Sequence, residues 1–319
     1  PLPCRFSICN YMTAPEPLSA LPLSVLHREF LTRRISSLSP KNAVVVAPET
    51  TAADVVARIC AARSGAVLVV DASGASVGIV TERDILNQWQ PGKPSNPRSV
   101  AEMMTKKPQV MHGNASVARA IHFMANGGFR HLPVIFPPPE LPKVISSKDL
   151  VESIHGRLTA KLLNPDSRVA LGNNVVDRFF ASGINLLNPD PPLVLAASNT
   201  AADALELLRQ HHHGAVAICE PDKRVAGIFT ERDYLTKIVA PQIDPSSLKL
   251  SELMTAKPHT LLKTASVAMA FSLLSEGGYR HIPLVDANEK ITGILSVRSF
   301  LNYLSKSIVA ALDSYEAQP

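Results

Sequence analysis

Residues 78–84 of this chain read GIVTERD, and residues 227–233 repeat them as GIFTERD. Repeated segments indicate duplicated structural units, which have to be recognised before any element is assigned. Further segments recur at almost the same displacement, namely TAAD at 51–54 and 200–203, and GGFRHLP at 127–133 with GGYRHIP at 277–283. The chain therefore consists of two similar halves.

Each half contains a weaker repeat of its own. In the first half, GIVT at 78–81 corresponds to KVIS at 143–146, and in the second half GIFT at 227–230 corresponds to GILS at 293–296. Nearly the same number of residues separates the two segments in both halves. The sequence therefore predicts four similar units arranged as two pairs.

The hydrophobic pattern of the first unit predicts the element order βαββα. Apolar runs at 43–46, 66–70 and 77–80 have the length of strands. Residues 51–62 have helical spacing, and a second helix begins at Glu82. The strands are continuously apolar rather than alternating, so helices should cover both faces of each sheet. We therefore predict a mixed α/β (α+β) fold built from four βαββα units.

The composition is typical of a globular protein of about two domains. Of the 319 residues, 46% are apolar and 18% are charged. No apolar run approaches the ~18–20 residues that span a bilayer, so the sequence predicts a soluble protein without a membrane segment. The formal charge is +5, but Lys and Arg form no block interleaved with aromatic residues. A nucleic-acid partner is therefore not expected.

The cysteines favour a reducing compartment. Cys4, Cys9, Cys60 and Cys219 form no CxxC pair, and the last two lie in apolar segments where buried free thiols are common. A cytoplasmic location is the natural inference. The chain begins with Pro1 rather than Met, so removal of a targeting segment and import into an organelle stay open.

The spacing Thr81-x-x-Asp84 at a strand-to-helix junction has two interpretations. As a structural feature, a Thr N-cap with an acid three residues later forms a capping box, which stabilises a helix by about 1 kcal/mol. As a binding feature, the carboxylate can accept hydrogen bonds from the two hydroxyls of a ribose. The threonine hydroxyl and the free N–H groups at the helix start suit phosphate oxygens. The two roles are compatible.

Three motifs recur through the chain. Units end in Gly-apolar-apolar-Thr/Ser-x-x-Asp, Met-Thr precedes the second unit of each half at 104–105 and 254–255, and Gly-Gly-aromatic-Arg-His-apolar-Pro follows. This set resembles the CBS domains, named after cystathionine β-synthase. The resemblance implies that two consecutive units pack about a pseudo-twofold axis as a Bateman module with two clefts. It also implies a regulatory adenosine-containing ligand, such as AMP, ADP, ATP or S-adenosylmethionine, and no catalytic cofactor.

The resemblance also sets the expected domain boundaries. The first Bateman module would cover 41–163, with units 1 and 2 at about 41–90 and 100–163, and the second would cover 191–313, with units 3 and 4 at about 191–240 and 250–313. Residues 1–40 would form an N-terminal extension that is partly irregular, and residues 164–190 would form a linker.

Transferred residue by residue, the resemblance gives units 1 to 3 a ribose-binding acid and an accompanying hydroxyl. The pairs are Thr81 with Asp84, Ser146 with Asp149, and Thr230 with Asp233. Unit 4 differs, because Ser299 replaces the acid and Arg298 adds positive charge beside it. Its cleft is therefore expected to be empty, weak or dedicated to a different group. Unit 2 differs at Lys143, which replaces a glycine and should crowd a close approach of the backbone.

Two Arg-His pairs, Arg130-His131 and Arg280-His281, follow the Gly-Gly turns and begin apolar strands. They are either solvated residues at strand entrances or ligands for phosphate. In the second case Arg supplies a planar fork and His a titratable donor beside it. The resemblance favours phosphate, and Arg298 is a further phosphate-facing candidate.

The sequence contains no recognisable catalytic or metal-binding pattern. The run His211-His212-His213 lacks a Cys, Asp or Glu to complete a ligand set, and its side chains should point in different directions. Gly-rich dinucleotide loops, Walker-type loops and Gly-x-Ser-x-Gly are absent. We therefore expect neither an enzyme nor a metal protein.

The leading hypothesis is a regulatory sensor of energy state or metabolites that binds an adenine nucleotide in one to three clefts. Two alternatives stay open. One is a ligand-independent scaffold that dimerises or docks a partner protein, and the other is a regulatory subunit of a separate enzyme or transporter. The helical faces of such small sheets should find a partner, either in a homodimer or in an intramolecular disc of the four units.

Overall fold

The computed structural model describes residues 31–93, 96–137, 140–163 and 181–316. Residues 1–30 of the expected N-terminal extension and residues 164–180 of the expected linker lie outside the described part. None of the helices in that part is both long and apolar enough to cross a membrane.

The first half follows the predicted element order. Its elements are β1 (Lys41–Asn42), β2 (Val45–Val46), α1 (Ala52–Ala61), β3 (Ala66–Val70), β4 (Ser76–Thr81), α2 (Glu82–Gln88), α3 (Val100–Met103), β5 (Thr105–Lys106), β6 (Met111–His112), α4 (Val117–Gly127), β7 (His131–Ile135), β8 (Lys143–Ser146) and α5 (Ser147–Leu163). A short 3-10 helix at Ile35–Leu38 precedes β1.

The second half repeats this order. Its elements are β9 (Val194–Leu195), α6 (Ala201–His211), β10 (Ala215–Cys219), β11 (Val225–Thr230), α7 (Glu231–Tyr234), α8 (Leu250–Leu253), β12 (Thr255–Ala256), β13 (Leu261–Leu262), α9 (Val267–Glu276), β14 (His281–Val285), β15 (Ile291–Ser296) and α10 (Val297–Glu316). A 3-10 helix at Ile184–Leu187 precedes β9, and a π-helical turn at Leu235–Val239 continues α7. The predicted βαββα order thus occurs four times in the described residues.

Each unit combines a short parallel strand pair with an antiparallel hairpin. In unit 1, β2 pairs in parallel with β3, and β3 pairs antiparallel with β4. The other neighbour of β4 is β5, which lies on the segment that leads into unit 2. In return, β1 pairs with β8 of unit 2. The two units of the first pair therefore exchange edge strands, so one edge of each of the two sheets is covered.

Local sequence explains where the helices begin and which face they bury. Thr51 caps α1 through its side-chain oxygen, and Thr200 forms a complete capping box with Asp203 at the start of α6. Within α1, Val55 and Ile59 are buried one turn apart. The apolar face of each helix therefore covers the sheet beside it, as the helical spacing predicts.

Hydrophobic clusters join each unit to two others. One large cluster combines side chains of units 1 and 3, and another combines units 2 and 4. Smaller clusters between the sheets join unit 1 to unit 2 and unit 3 to unit 4. The four units therefore close into a ring within one chain, stabilised by apolar burial. Of the two arrangements expected from the sequence, the intramolecular one is present, and a homodimer stays a prediction.

Candidate functional site

The predicted acid–hydroxyl pairs lie at strand-to-helix junctions. In unit 1, Oδ2 of Asp84 accepts hydrogen bonds from the backbone N–H (2.8 Å) and from Oγ1 (2.6 Å) of Thr81. The same two bonds recur between Ser146 and Asp149 and between Thr230 and Asp233. The capping interpretation is therefore confirmed in units 1 to 3, and it uses only one oxygen of each carboxylate.

The second oxygen of each acid faces a different group. In unit 1, the hydroxyl of Thr105 donates to Oδ1 of Asp84 at 3.2 Å. In units 2 and 3 the neighbour is a lysine ammonium group, with Lys41 at 3.4 Å from Asp149 and Lys237 at 2.7 Å from Asp233. Burial raises the pKa of Asp84, although the hydrogen bonds from Thr81 and Thr105 oppose this shift. A ribose would therefore replace a neutral donor in unit 1 and a cation in units 2 and 3.

Unit 4 has two serines at this junction. Ser296 and Ser299 are buried, and their Oγ atoms lie 3.1 Å apart. The backbone N–H of Ser299 donates to Oγ of Ser296 at 3.2 Å. Helix α10 therefore keeps a cap, but the junction offers no anionic acceptor to a ribose.

Each junction opens onto a cavity, which we number by its unit. Cleft 1 has a volume of about 390 Å³ and contains Thr81 and Asp84. Cleft 4 has a volume of about 370 Å³ and contains Ser296 and Ser299. Clefts 2 and 3 form one continuous cavity of about 780 Å³ that contains the acid–hydroxyl pairs of both units. Arg130 lines all three cavities, so the clefts meet near the centre of the ring.

A buried carboxylate lies at this meeting point. Glu231, the first residue of α7, pairs with Arg83 of unit 1 at 3.1 Å and also with Arg130 of unit 2. Burial alone raises the pKa of Glu231, but the charges of Arg130 and Arg83 outweigh it and hold the pKa at about 2. The carboxylate is therefore ionised and binds three units of the ring to each other.

The other half of the ring contains the corresponding residues. Glu82, the first residue of α2, is equally buried and pairs with Arg232 of unit 3 at 2.6 Å and with Arg280 of unit 4. We call the two glutamates and their four arginine partners the central cluster. Because four guanidinium groups face two carboxylates among these residues, the central cluster has a surplus of positive charge.

The two histidines of the Arg-His pairs line the same region. Burial, followed by the charges of nearby arginines, lowers the pKa of both His131 and His281 to about 3. Each imidazole is therefore neutral at neutral pH, and the role of the two histidines as donors to phosphate stays a prediction. The ring of His131 lies against Gly65, where a Cβ would collide with it, and His281 lies in the same way against Gly214.

The structure brings the remaining candidates to the same region. Arg130 and Arg280 lie in the central cluster, and their role toward phosphate stays a prediction. Arg298 lies in cleft 4, and so does the run 211–213. Among the described residues, no group of three His, Cys, Asp or Glu side chains could hold a metal ion. Lys143 forms an ion pair with Glu140 at 2.9 Å.

The sequence analysis did not single out Glu82, Arg83, Glu231 or Arg232. A signal for them was present, because the Glu-Arg dipeptide is identical in units 1 and 3 and absent from units 2 and 4. A capping box requires only the flanking Thr and Asp. The extra identity therefore indicated a contact specific to units 1 and 3.

The family model for the CBS domain matches residues 35–90, 100–156, 185–240 and 250–306. The chain belongs to the CBS domain family. The four matched segments correspond to the four βαββα units, although the second and the fourth end within α5 and α10. The family resemblance inferred from the motifs is therefore confirmed, together with the mixed α/β fold of two Bateman modules.

Two relatives from Arabidopsis thaliana are longer than the present chain. The CBS domain-containing proteins CBSCBSPB1 and CBSCBSPB3 of Arabidopsis thaliana are 25% identical over 290 residues and 23% identical over 307 residues. These matches cover 83% and 89% of this chain but 52% and 53% of the relatives. The chain therefore spans about half the length of the curated CBS-domain relatives that it matches.

Solved structures with the same fold cover the whole ring of CBS units. Protein MJ1225 from Methanocaldococcus jannaschii superposes with a TM-score of 0.67 at 16% identity, covering 85% of this chain and 99% of that one. An uncharacterised conserved protein from Pyrococcus horikoshii superposes with a TM-score of 0.55 at 14% identity, covering 85% and 100%. At this level of identity, the two structures support the fold alone.

Proposed function

We propose that this CBS-domain protein is a regulatory sensor, not an enzyme, and that it binds an adenosine-containing ligand in its clefts. The observation that supports this most strongly is the placement of three acid–hydroxyl pairs in cavities that converge on the central cluster. Carboxylates bind ribose diols and guanidinium groups bind phosphate oxygens through charge-assisted hydrogen bonds. AMP, ADP, ATP and S-adenosylmethionine are the candidate ligands.

Ribose recognition would use the carboxylate oxygen that the capping box leaves available. In cleft 1 the hydroxyl of Thr105 donates a hydrogen bond to that oxygen, Oδ1 of Asp84. Because a hydroxyl can both donate and accept, Thr105 can turn to a neighbouring sugar oxygen when the diol takes its place. A ribose bound in cleft 1 would therefore replace one hydrogen bond from a neutral donor with two from its hydroxyls. Cleft 1 is for this reason the first candidate for binding the ligand.

Regulation would act through the central cluster. Phosphate oxygens that reach Arg130 would compete with Glu231, and phosphates that reach Arg280 would compete with Glu82. A ligand changes a conformational equilibrium only by binding one state more tightly than the other. Competition for these arginines supplies that difference, because the same ion pairs join the first Bateman module to the second.

Isothermal titration calorimetry with AMP, ADP, ATP and S-adenosylmethionine tests the proposal. We expect Asp84→Asn and Asp233→Asn each to weaken binding by about tenfold or more, because a hydrogen bond to a charged group contributes roughly 1.5–3 kcal/mol. The matched control is Asp203→Asn, which alters the same type of capping box at the start of α6 but none of the four clefts. Absence of binding by all four ligands at millimolar concentration would contradict the proposal.

A ligand-independent scaffold is the second candidate, and the capping boxes favour it because a cap needs no ligand. The scaffold predicts that Asp84→Asn and Asp203→Asn have the same effect, a loss of about 1 kcal/mol in the free energy of unfolding. The sensor predicts loss of ligand binding in the first variant alone. A cytoplasmic location and a homodimer or a partner protein are further parts of the proposal, whereas a regulatory subunit of a separate enzyme or transporter is the other alternative to it.

A further inference from the structure

Cleft 4 differs from the other clefts in its electrostatic character. Five basic side chains line it, namely Arg83, Arg130, Arg280, Arg298 and Lys306. Among the described residues of its lining, Asp190 alone is acidic. Arg83, Arg130 and Arg280 also pair with the two glutamates of the central cluster. The guanidinium surplus of that cluster, together with Arg298 and Lys306, still leaves this concave surface positive, so it attracts anions.

Arg298 contributes charge that no carboxylate of the described residues neutralises directly. It is the second residue of α10, a position at which a cation opposes the helix dipole. The residues at the same position in units 1 and 3, Arg83 and Arg232, form ion pairs with buried glutamates. In the part of the chain that the structure describes, Arg298 has no such ion pair, and Asp190 attracts it only from a greater distance. A bound anion would supply the missing partner.

The chemistry of cleft 4 does not favour a nucleoside. The hydroxyls of Ser296 and Ser299 are buried against each other, so a ribose would find no carboxylate at the junction where units 1 to 3 provide one. Phosphate oxygens, in contrast, would meet several guanidinium groups, each of which can donate two parallel hydrogen bonds. The cleft is therefore built for negative charge and not for a sugar.

Cleft 4 adjoins cleft 1. Arg83, Gly128 and Arg130 line both cavities. The guanidinium group of Arg298 lies above Gly128, where a Cβ would be only 2.8 Å from its Nη2 atom. Gly128 has a φ of +67°, so the turn itself also favours glycine. A phosphate chain that extends from cleft 1 would thus approach the arginines that cleft 1 shares with cleft 4.

We propose that cleft 4 is a phosphate-only site, which binds a chain of phosphate groups without a nucleoside. The phosphates belong either to the tail of a nucleotide whose ribose is bound at Asp84, or to a free inorganic polyphosphate. With the first source, the inference rests on the proposed function, and cleft 4 is the feature that distinguishes a nucleoside triphosphate from a monophosphate.

Calorimetry of the full chain with tripolyphosphate, AMP and ATP at constant ionic strength tests this proposal. We expect Arg298→Gln to weaken tripolyphosphate binding by about tenfold or more, which is the expected cost of one charged hydrogen-bonding partner. Arg298→Lys, which retains the charge, should recover part of the affinity. The control is Arg58→Gln, because Arg58 is an exposed residue of α1 outside all the clefts and its loss changes the net charge equally.

Two further measurements distinguish the sources of the phosphate. If the nucleotide tail occupies cleft 4, Arg298→Gln weakens ATP more than AMP, and tripolyphosphate competes with ATP. If an inorganic anion occupies it, ATP affinity is unchanged in Arg298→Gln, and tripolyphosphate binds in the presence of ATP. Equal tripolyphosphate affinity in the wild type and Arg298→Gln, or equal losses in Arg298→Gln and Arg58→Gln, would overturn the phosphate-only site. Failure of AMP and ATP to bind the wild type, with tripolyphosphate binding intact, would overturn the sensor alone.

Discussion

Two neutral histidines and the ionised carboxylate of Glu231 lie near each other in the centre of the ring, and burial shifts their pKa values in opposite directions. Burial favours the neutral form of His131 and His281, and the arginines nearby add to this effect. For Glu231 the same arginines favour the charged form and outweigh burial. The surplus of guanidinium groups therefore reinforces the effect of burial on the two histidines and outweighs it on Glu231.

This arrangement predicts that acid destabilises the protein well above the range in which carboxylates titrate. The pKa of each histidine is about 3 in the folded chain against 6.5 in the unfolded chain, so the unfolded state binds more protons between these values. The stabilisation is complete above pH 6.5 and is lost as the pH falls toward 3. For Glu231, whose pKa is about 2 against 4.5, the loss begins only below pH 4.5.

Denaturant unfolding at several pH values between 7.5 and 5 measures the histidine effect. We expect the free energy of unfolding to fall by up to about 1.4 kcal/mol per pH unit for each buried histidine. His131→Gln should reduce this slope, whereas His112→Gln should leave it unchanged, because His112 is exposed. A slope that is equal in the wild type and in His131→Gln would show that the imidazole titrates normally in the folded state.

At the scale of elements, the two contacts between the halves share an apolar character but differ in their ion pairs. A large hydrophobic cluster lies at each contact. Units 2 and 4 meet through longer helices, with α10 against α4 and α9 against α5. Units 1 and 3 add reciprocal ion pairs at the N-termini of α2 and α7, in which Arg83 contacts Glu231 and Arg232 contacts Glu82. We therefore expect apolar burial at both contacts to contribute most of the stability, while these ion pairs determine how the clefts respond to charge.

Phe300 tests the apolar contact. Its ring is fully buried in α10 and stacks on Phe271 of α9 with 4.7 Å between the ring centroids. Phe300→Ala leaves a cavity in the cluster shared by units 2 and 4 and should lower the free energy of unfolding by about 3–5 kcal/mol. Met269→Ala in α9, the helix of Phe271, is the control. The side chain of Met269 is 55% exposed, so this substitution should change the free energy of unfolding by less than about 0.5 kcal/mol. Comparable losses in the two variants would contradict the assignment of the core.

The elements themselves could largely be predicted from the sequence, because continuous apolar runs and helical spacing recur in each unit. The exchanged edge strands β1 and β5 could not, since each has two residues and no hydrophobic pattern. Their pairing depends on the neighbouring unit and not on local sequence. The capping boxes, in contrast, depend only on residues three positions apart, and Thr81 with Asp84 was accordingly predicted in its correct local geometry.

At the scale of the whole molecule, the sequence left open whether the four units meet within one chain or between two. Under the duplication, Glu82 corresponds to Glu231 and Arg83 to Arg232. The repeat therefore produces the same complementary surfaces whether the two halves belong to one chain or to two. The central cluster could therefore not be predicted as a contact within the chain, although its residues recur in both halves. An isologous dimer interface is built in the same way, because each residue contacts its partner in both directions across the interface.

The ring predicts that the two halves stay together without a covalent connection. Introducing a protease site between residues 164 and 180 allows the purified full chain to be cut after it has folded. Because both large hydrophobic clusters contain residues of both halves, the fragments should co-elute at the size of the uncut chain in size-exclusion chromatography. The same cut in Phe300→Ala should release fragments at lower denaturant concentration, since the cluster of units 2 and 4 is then incomplete. Separate elution of the two wild-type fragments in native buffer would show that the halves are independent modules, and the central cluster could then not couple their clefts.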